Sequence, residues 1–147
     1  MTVSFMTKED AKAVALLEKE CFASPWTEQT LIEETDNPTA VFLVAKENDE
    51  IIGYIGSNNI LGEVFITNIA VTSSYRRKGV GFLLLKSLID ECGNKRASYL
   101  TLEVRKSNIS AIKLYEKAGF KQVGERKNFY SDPTENALLY TFYFNYD

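Results

Sequence analysis

Arg76-Arg77-Lys78-Gly79-Val80-Gly81 stands between an apolar strand-like run, Val64 to Val71, and an apolar helical run that opens at Phe82. A strand–loop–helix turn of this kind points backbone N–H groups and a helix N-terminus at one spot, which favours an anion. Glycine lets the backbone approach that anion closely. The cations add charge-assisted hydrogen bonds, and arginine matches phosphate oxygens best. The stretch reads as a pyrophosphate cradle. It is not a Walker loop, because no Gly-Lys-Ser/Thr follows. It is not a dinucleotide fingerprint either, because the third glycine of that motif would fall on Leu84. Arg-x-x-Gly-x-Gly remains, a pattern that on its own also fits a basic turn capping a surface helix.

Outward from the cradle, the chain alternates recognisable elements. Val3 and Phe5 alternate with polar neighbours and predict a short first strand. Thr7 is placed to cap a helix from Lys8 to about Phe22. Ser24-Pro25-Trp26 breaks it, and Thr27 caps a second helix through about Thr35. Val41 to Ala45, Ile51 to Ile60 and Val64 to Val71 predict an antiparallel meander with turns at Asn48-Asp49-Glu50 and Leu61-Gly62-Glu63. The helix after the cradle carries Gly81, Leu85, Leu88, Ile89 and Cys92 at helical spacing, with Gly93-Asn94 as its expected stop. Tyr99 to Val104 is a strand, Asn108 to Ala118 a helix ended by Gly119, and Phe120 to Lys127 and Asn136 to Phe144 the last two strands. A meander feeding a crossover helix predicts an α/β (α+β) fold, a mixed central sheet with helices on both faces. A ligand then binds where neighbouring strands diverge at their carboxyl ends.

The 147 residues predict a single domain, 1–147, with no internal repeat or linker. The longest unbroken apolar run, Ala40 to Ala45, is far short of a membrane span. Met1 to Asp10 lacks a basic stretch followed by an apolar one, so no signal peptide is expected and a cytoplasmic location is. Cys21 and Cys92 have no metal-ligand spacing, and the chain has no histidine. Ser-His and Cys-His nucleophile pairs are thereby excluded and no metal is expected, leaving acid–base work to carboxylates, tyrosines, lysines or water. Residues 1–75 carry 4 basic and 12 acidic side chains, net −8, whereas residues 76–127 carry 13 basic and 5 acidic, net +8. That asymmetry suits a polyanionic cofactor on one half and a cationic substrate near the other. The acidic balance of the whole chain, −3, argues against nucleic acid as the main partner.

A second constellation follows the cradle. In Leu102-Glu103-Val104-Arg105-Lys106-Ser107-Asn108, Glu103 lies on the polar side of a strand end. Asn108 and Tyr115 are seven apart on the next helix, a rotation of about 700°, so both face one way. A carboxylate, an amide and a phenol thus converge near the cradle. Each has a plainer reading: Glu103 as a solvent-facing strand residue, Asn108 as a helix cap, Tyr115 as core.

Asn68-Ile69-Ala70-Val71, the loop at 76–81, the Leu-Glu-Val-Arg segment running to Asn108, and Leu114-Tyr115-Glu116 with Gly119-Phe120 together resemble the GNAT N-acetyltransferase superfamily. Pro25-Trp26-Thr27 and Arg126-Lys127-Asn128-Phe129-Tyr130 narrow the resemblance to the subgroup that acetylates the N-terminal alanine of a small-subunit ribosomal protein. Thr72-Ser73-Ser74 departs from the Asp-Pro turn of many relatives, and Arg76 stands where some carry glutamine. The resemblance implies that acetyl-CoA is the cosubstrate. It implies that the backbone of Ile69, Ala70 and Val71 holds the pantetheine arm and that Arg76, Arg77, Lys78, Gly79, Val80 and Gly81 hold the pyrophosphate. It implies that Asn108 contacts the cofactor, that Glu103 is the general base, and that Tyr115 is the general acid at the leaving sulfur.

Direct transfer suits this chain. An α-amine has a pKa of about 7.7–8.0 against about 10.4 for lysine, so near neutrality one carboxylate suffices to take its proton. No covalent enzyme intermediate is needed. Two other readings use the same features: a GNAT enzyme for a small amine such as a polyamine or aminoglycoside, and an acyl-CoA-binding module without turnover. Phe129 and Tyr130 are expected to pack as strand residues or to border the acceptor groove.

Overall fold

The computed structural model describes all residues, 1–147. Seven strands form one sheet in the order β1-β2-β3-β4-β5-β7-β6. They are β1 (Thr2–Phe5), β2 (Ala40–Glu47), β3 (Glu50–Ile60), β4 (Glu63–Val71), β5 (Tyr99–Arg105), β6 (Lys121–Tyr130) and β7 (Glu135–Tyr143). Four helices cover it: α1 (Ala11–Cys21), α2 (Glu28–Thr35), α3 (Val80–Asn94) and α4 (Ile109–Lys117). Every strand pair is antiparallel except β4 with β5, where α3 is the crossover. This is the expected mixed sheet.

Strand alternation distributes the core. Val41, Leu43 and Ala45 of β2 point to the α3/α4 face, and Phe42 and Val44 point to the α1/α2 face. Two bulges then change the parity. Ala45 pairs Gly53 while Lys46 pairs Ile51, so Ile52 is the extra residue on β3. Gly53 therefore looks toward α3 beside Ile52, and a Cβ there would lie 2.9 Å from the Ala70 carbonyl and 3.2 Å from Leu84 and Val80. Ser57 pairs Ile66 while Gly56 pairs Asn68, so Thr67 is the extra residue on β4. Val64 and Ile66 belong to the α3/α4 core before it, and Ile69 and Val71 pack on that core after it. Bulges re-aim side chains and bend the strand that carries them. β4 and β5 pair only from Glu63 and Tyr99 to Phe65 and Thr101, and part at the Thr67 bulge.

Fully buried Leu84, Leu85 and Leu88 of α3 and Leu100 of β5 close the larger core, each contributing about 1.5–3 kcal/mol by burial. Two boundaries differ from expectation. The first helix begins as a 3-10 turn, Lys8–Asp10, with Thr7 at its N-cap as expected; Thr7 forms a capping box with Asp10, donating to its carboxylate through the N–H (2.9 Å) and hydroxyl (3.1 Å). α3 ends at Asn94, within the expected Gly93-Asn94 stop, and the chain turns at Arg96 (φ 59°). Gly93 also makes room for Phe144, whose ring a Cβ would meet at 3.2 Å. β6 runs on to Tyr130, because Tyr130 re-pairs with Glu135 beyond a bulge at 127–129. No helix is long and apolar enough to cross a membrane.

Candidate active site

The gap where β4 and β5 part is where the candidate residues gather. Thr72 donates its N–H to Ile52 (2.9 Å), so the antiparallel ladder turns Ala70 toward β3 and leaves the backbone of Ile69 and Val71 facing away from it, into the gap. An extended ligand can pair there as a strand would. The cradle closes the far end. Gly79 takes φ 83° as N-cap of α3, with open space where its Cβ would be, and Leu83 makes the first helical bond to the Gly79 carbonyl (3.0 Å). The N–H groups of Val80, Gly81 and Phe82 are therefore free of helical partners at the positive end of the helix dipole. A Cβ on Gly81 would press on Leu114 of α4 at 3.2 Å.

The cations of the cradle divide their work. Arg76 folds back: its Nε donates to the Val71 carbonyl (3.1 Å) and Nη2 lies 3.5 Å from Cys21 Sγ, fixing the strand end to α1. Arg77 takes φ 63°, and Lys78 lies over the Tyr75 ring at 5.2 Å. Glu20 of α1 accepts from Ser73 N–H (2.7 Å) and Thr72 Oγ1 (2.9 Å), and the Ser73 bond first of all holds its carboxyl below the usual range. The serine-rich turn is thus anchored from α1.

Glu103 lines a cleft of about 400 Å³ between the parted strands, together with Phe65, Ile66, Thr101, Arg126 and Tyr130. Its Oε2 accepts from Arg126 Nε at 3.3 Å, with both side chains partly in solvent. Such a pair is worth under about 1 kcal/mol, so another cation can replace the guanidinium cheaply. Tyr115 lies deeper, on α4, 6% exposed and packed on Phe120 at 6.0 Å between ring centres. Burial, and then the neighbouring Tyr130 phenol, push its hydroxyl up to about 12. Burial, and then the Glu103 carboxylate, also push Tyr130 up, while Arg105 pulls it down. Tyr130 therefore senses Glu103 on one side and is sensed by Tyr115 on the other. Asn108 caps α4, its Oδ1 accepting from Ala111 N–H at 3.3 Å.

Sequence reasoning expected Glu103, Asn108 and Tyr115 around one gap; Glu103 lines the cleft, whereas Tyr115 packs in the core on α4 and Asn108 caps that helix, neither lining it. It set Tyr130 no closer than the groove rim and did not find Arg126. Both reach the cleft by pairing of β6 with β7 and β7 with β5, a register that no short-range pattern encodes. No group of three or more His, Cys, Asp or Glu is placed to hold a metal ion.

A parted parallel pair thus leads to a glycine cradle at a helix N-terminus, a place for an extended anionic ligand. The acetyltransferase (GNAT) family model matches residues 11–120, and the chain belongs to that family of N-acetyltransferases. It is 34% identical over 140 residues to the [ribosomal protein bS18]-alanine N-acetyltransferase of Escherichia coli (strain K12), covering 94% of each chain. It is 39% identical over 135 residues to a Bacillus subtilis (strain 168) protein to which the same activity is provisionally assigned, covering 91% of this chain and 89% of that one. The crystal structure of the Escherichia coli ribosomal-protein-S18-alanine N-acetyltransferase superposes with a TM-score of 0.91 at 32% identity, over 99% of this chain and 95% of that one.

Proposed function

We propose that this enzyme moves an acetyl group from acetyl-CoA to the N-terminal amine of a ribosomal protein that begins with alanine. The observation that carries this reading is the likeness to the Escherichia coli enzyme along 94% of both chains. The site residues fit the cosubstrate: open space over Gly79, free N–H groups at the start of α3, and Ile69 and Val71 backbone that faces away from β3, with only the Val71 carbonyl taken, by Arg76. When bound, acetyl-CoA supplies an acyl group already activated as a thioester.

The chain's own residues divide the remaining tasks. Ile69 and Val71 present strand backbone to the pantetheine arm, and Ala70 between them is held by β3 instead. Arg77, Lys78, Gly79, Val80 and Gly81 receive the pyrophosphate, Arg76 keeps the strand end in place for them, and Asn108 flanks the arm from α4. Glu103, the carboxylate of the cleft, takes the proton of the incoming amine, and Arg126 gives way as the ammonium arrives. Tyr115 stays protonated across the working range, because burial raises its phenol to about 12, and it offers its O–H as a hydrogen bond to the departing thiolate, being so raised a weaker acid than a phenol in water.

The test is acetyl transfer to an Ala-first peptide, to its N-terminally blocked twin and to polyamines. Transfer confined to the free N-terminus, slowed about 10²–10⁴-fold in Glu103→Gln, is the expected result. Transfer to polyamines alone would replace the acceptor, and an unchanged rate in Glu103→Gln would remove the base.

A further inference from the structure

Arg105 has no part in the reading so far, yet no other side chain binds the β6–β7 connection so completely. It follows Glu103 by two residues on β5, so the two share a face of the strand. Its Nη1 donates to the Pro133 carbonyl (3.0 Å) and to Glu135 Oε1 (3.2 Å), and its Nη2 donates to the Ser131 carbonyl (2.9 Å). The face of the guanidinium lies 4.5 Å from the centre of the Tyr130 ring. All these partners fall between residues 130 and 135. Tyr130 and Glu103 line the cleft, whereas Arg105 does not.

The clamp has a second arm. Glu135 Oε2 accepts from Ser107 N–H at 2.8 Å, on the residue before the Asn108 cap of α4. The Ser107 bond first, with Arg105 behind it, holds the Glu135 carboxyl below its usual range, so the arm is ionised at neutrality. One ion pair therefore ties the wall of the cleft that bears Tyr130 to the turn that carries Asn108. A guanidinium fork fits this arrangement of two carbonyls, a carboxylate and a ring. A lysine offers a single point charge and no plane to stack.

We propose that Arg105 is a positioning residue of the acceptor site: its fork fixes the 131–135 segment and its face holds the Tyr130 ring at the cleft opposite Glu103, which sets how the acceptor end is seated. This rests on reading the cleft as the acceptor site for a peptide N-terminus. Arg105 acts through Tyr130, so its loss shows in acceptor binding and spares the cofactor cradle on α3.

The experiment compares the unmodified enzyme, Arg105→Lys, Tyr130→Ala and the double variant on an Ala-first peptide, alongside amide hydrogen exchange of residues 129–135. Arg105→Lys raises the peptide KM about fivefold or more, the scale of a lost cation–π contact, while the acetyl-CoA KM holds. Tyr130→Ala raises it similarly, and the double variant is no worse than Tyr130→Ala, because both changes break one linkage. Exchange across 129–135 quickens in Arg105→Lys. Additive effects, an equal rise in the acetyl-CoA KM, or unchanged exchange each overturn the proposal. Should Arg105→Lys fail to fold, Glu135→Gln loosens the same clamp and gives a smaller rise of the same kind, and no rise overturns it. An unmodified enzyme that acetylates no peptide removes the function reading, while the exchange measurement still decides the clamp.

Discussion

Tyr115 shows how a residue's role depends on its surroundings. A phenol in water has a pKa of about 10 and would lose its proton within the alkaline limb of an assay. Burial on α4, and then Tyr130, raise it to about 12. The rate between pH 8 and 10 is therefore expected to show no fall from loss of the Tyr115 proton. A Tyr115→Phe variant should be slower across that whole range with an unaltered profile. A profile whose alkaline fall near pH 10 disappears in Tyr115→Phe would contradict this. Glu103 and Tyr115 were legible in the sequence because each sits at a fixed offset within a strand or helix. The Tyr130 neighbour that tunes Tyr115 was not, because it arrives from a strand two places away in the sheet.

At the scale of elements, the cradle depends on two supports. Gly79 carries the left-handed turn that starts α3. Gly79→Ala is expected to cost about 1–2 kcal/mol of stability from backbone strain alone, and to weaken coenzyme A binding further because the methyl group stands where an anion must approach. Calorimetric titration with coenzyme A and a urea midpoint separate the two effects. Glu20 supports the turn from the other side, through Thr72 and Ser73. Glu20→Ala should raise the acetyl-CoA KM several-fold and leave the peptide KM alone. Because the Glu20 carboxyl is held low in the folded state, that support is present above the ordinary carboxylate pKa and fades as pH falls through the lowered value. Equal effects on both substrates would mean that Glu20 acts on the fold at large. Thr72-Ser73-Ser74 was legible as a turn; its tie to α1, 52 to 53 residues away, was not.

At the scale of the molecule, one buried carboxylate joins α1 to β3 and β4. Glu18 of α1 is fully buried. It accepts from the Tyr54 hydroxyl of β3, from Asn68 Nδ2 of β4 at 3.1 Å and from Trp26 N–H at 2.8 Å. Asn68 points to α1 only because the Thr67 bulge shifts the parity of β4. Glu18→Ala removes the acceptor of the buried Tyr54 hydroxyl and of the partly buried Trp26 N–H, leaving Asn68 Nδ2 its bond to Tyr54 Oη, and we expect a loss of about 3 kcal/mol and a Tm lower by about 6–12 °C. A change of less than 1 °C would show the network to be idle. Alkaline pH tests the same core. Burial, and then Glu18, drive the Tyr54 phenol far up, so the folded state keeps protons that the unfolded chain releases above about pH 10. Stability should be complete below that pH and fall above it, by about 1.4 kcal/mol per pH unit for each such phenol, as urea midpoints at pH 8 and pH 11 would show.

The sequence by itself determined the order of elements, the glycine turn at 76–81 that opens α3, and the strand and helix on which Glu103 and Tyr115 stand. Those depend on periodicity, glycine and cap signals within a few residues of one another, which a chain states locally. Two bulges, each a single extra residue, re-aim Gly53 and Asn68, and the one at Thr67 lies where β4 parts from β5. Their positions follow from how neighbouring strands register against two packed cores. The tertiary structure alone therefore decided that Arg126 rests on Glu103, that Tyr130 stands beside Tyr115, and that Arg105 closes on residues 131–135. Each of those contacts joins segments that only the completed sheet brings within a few ångströms.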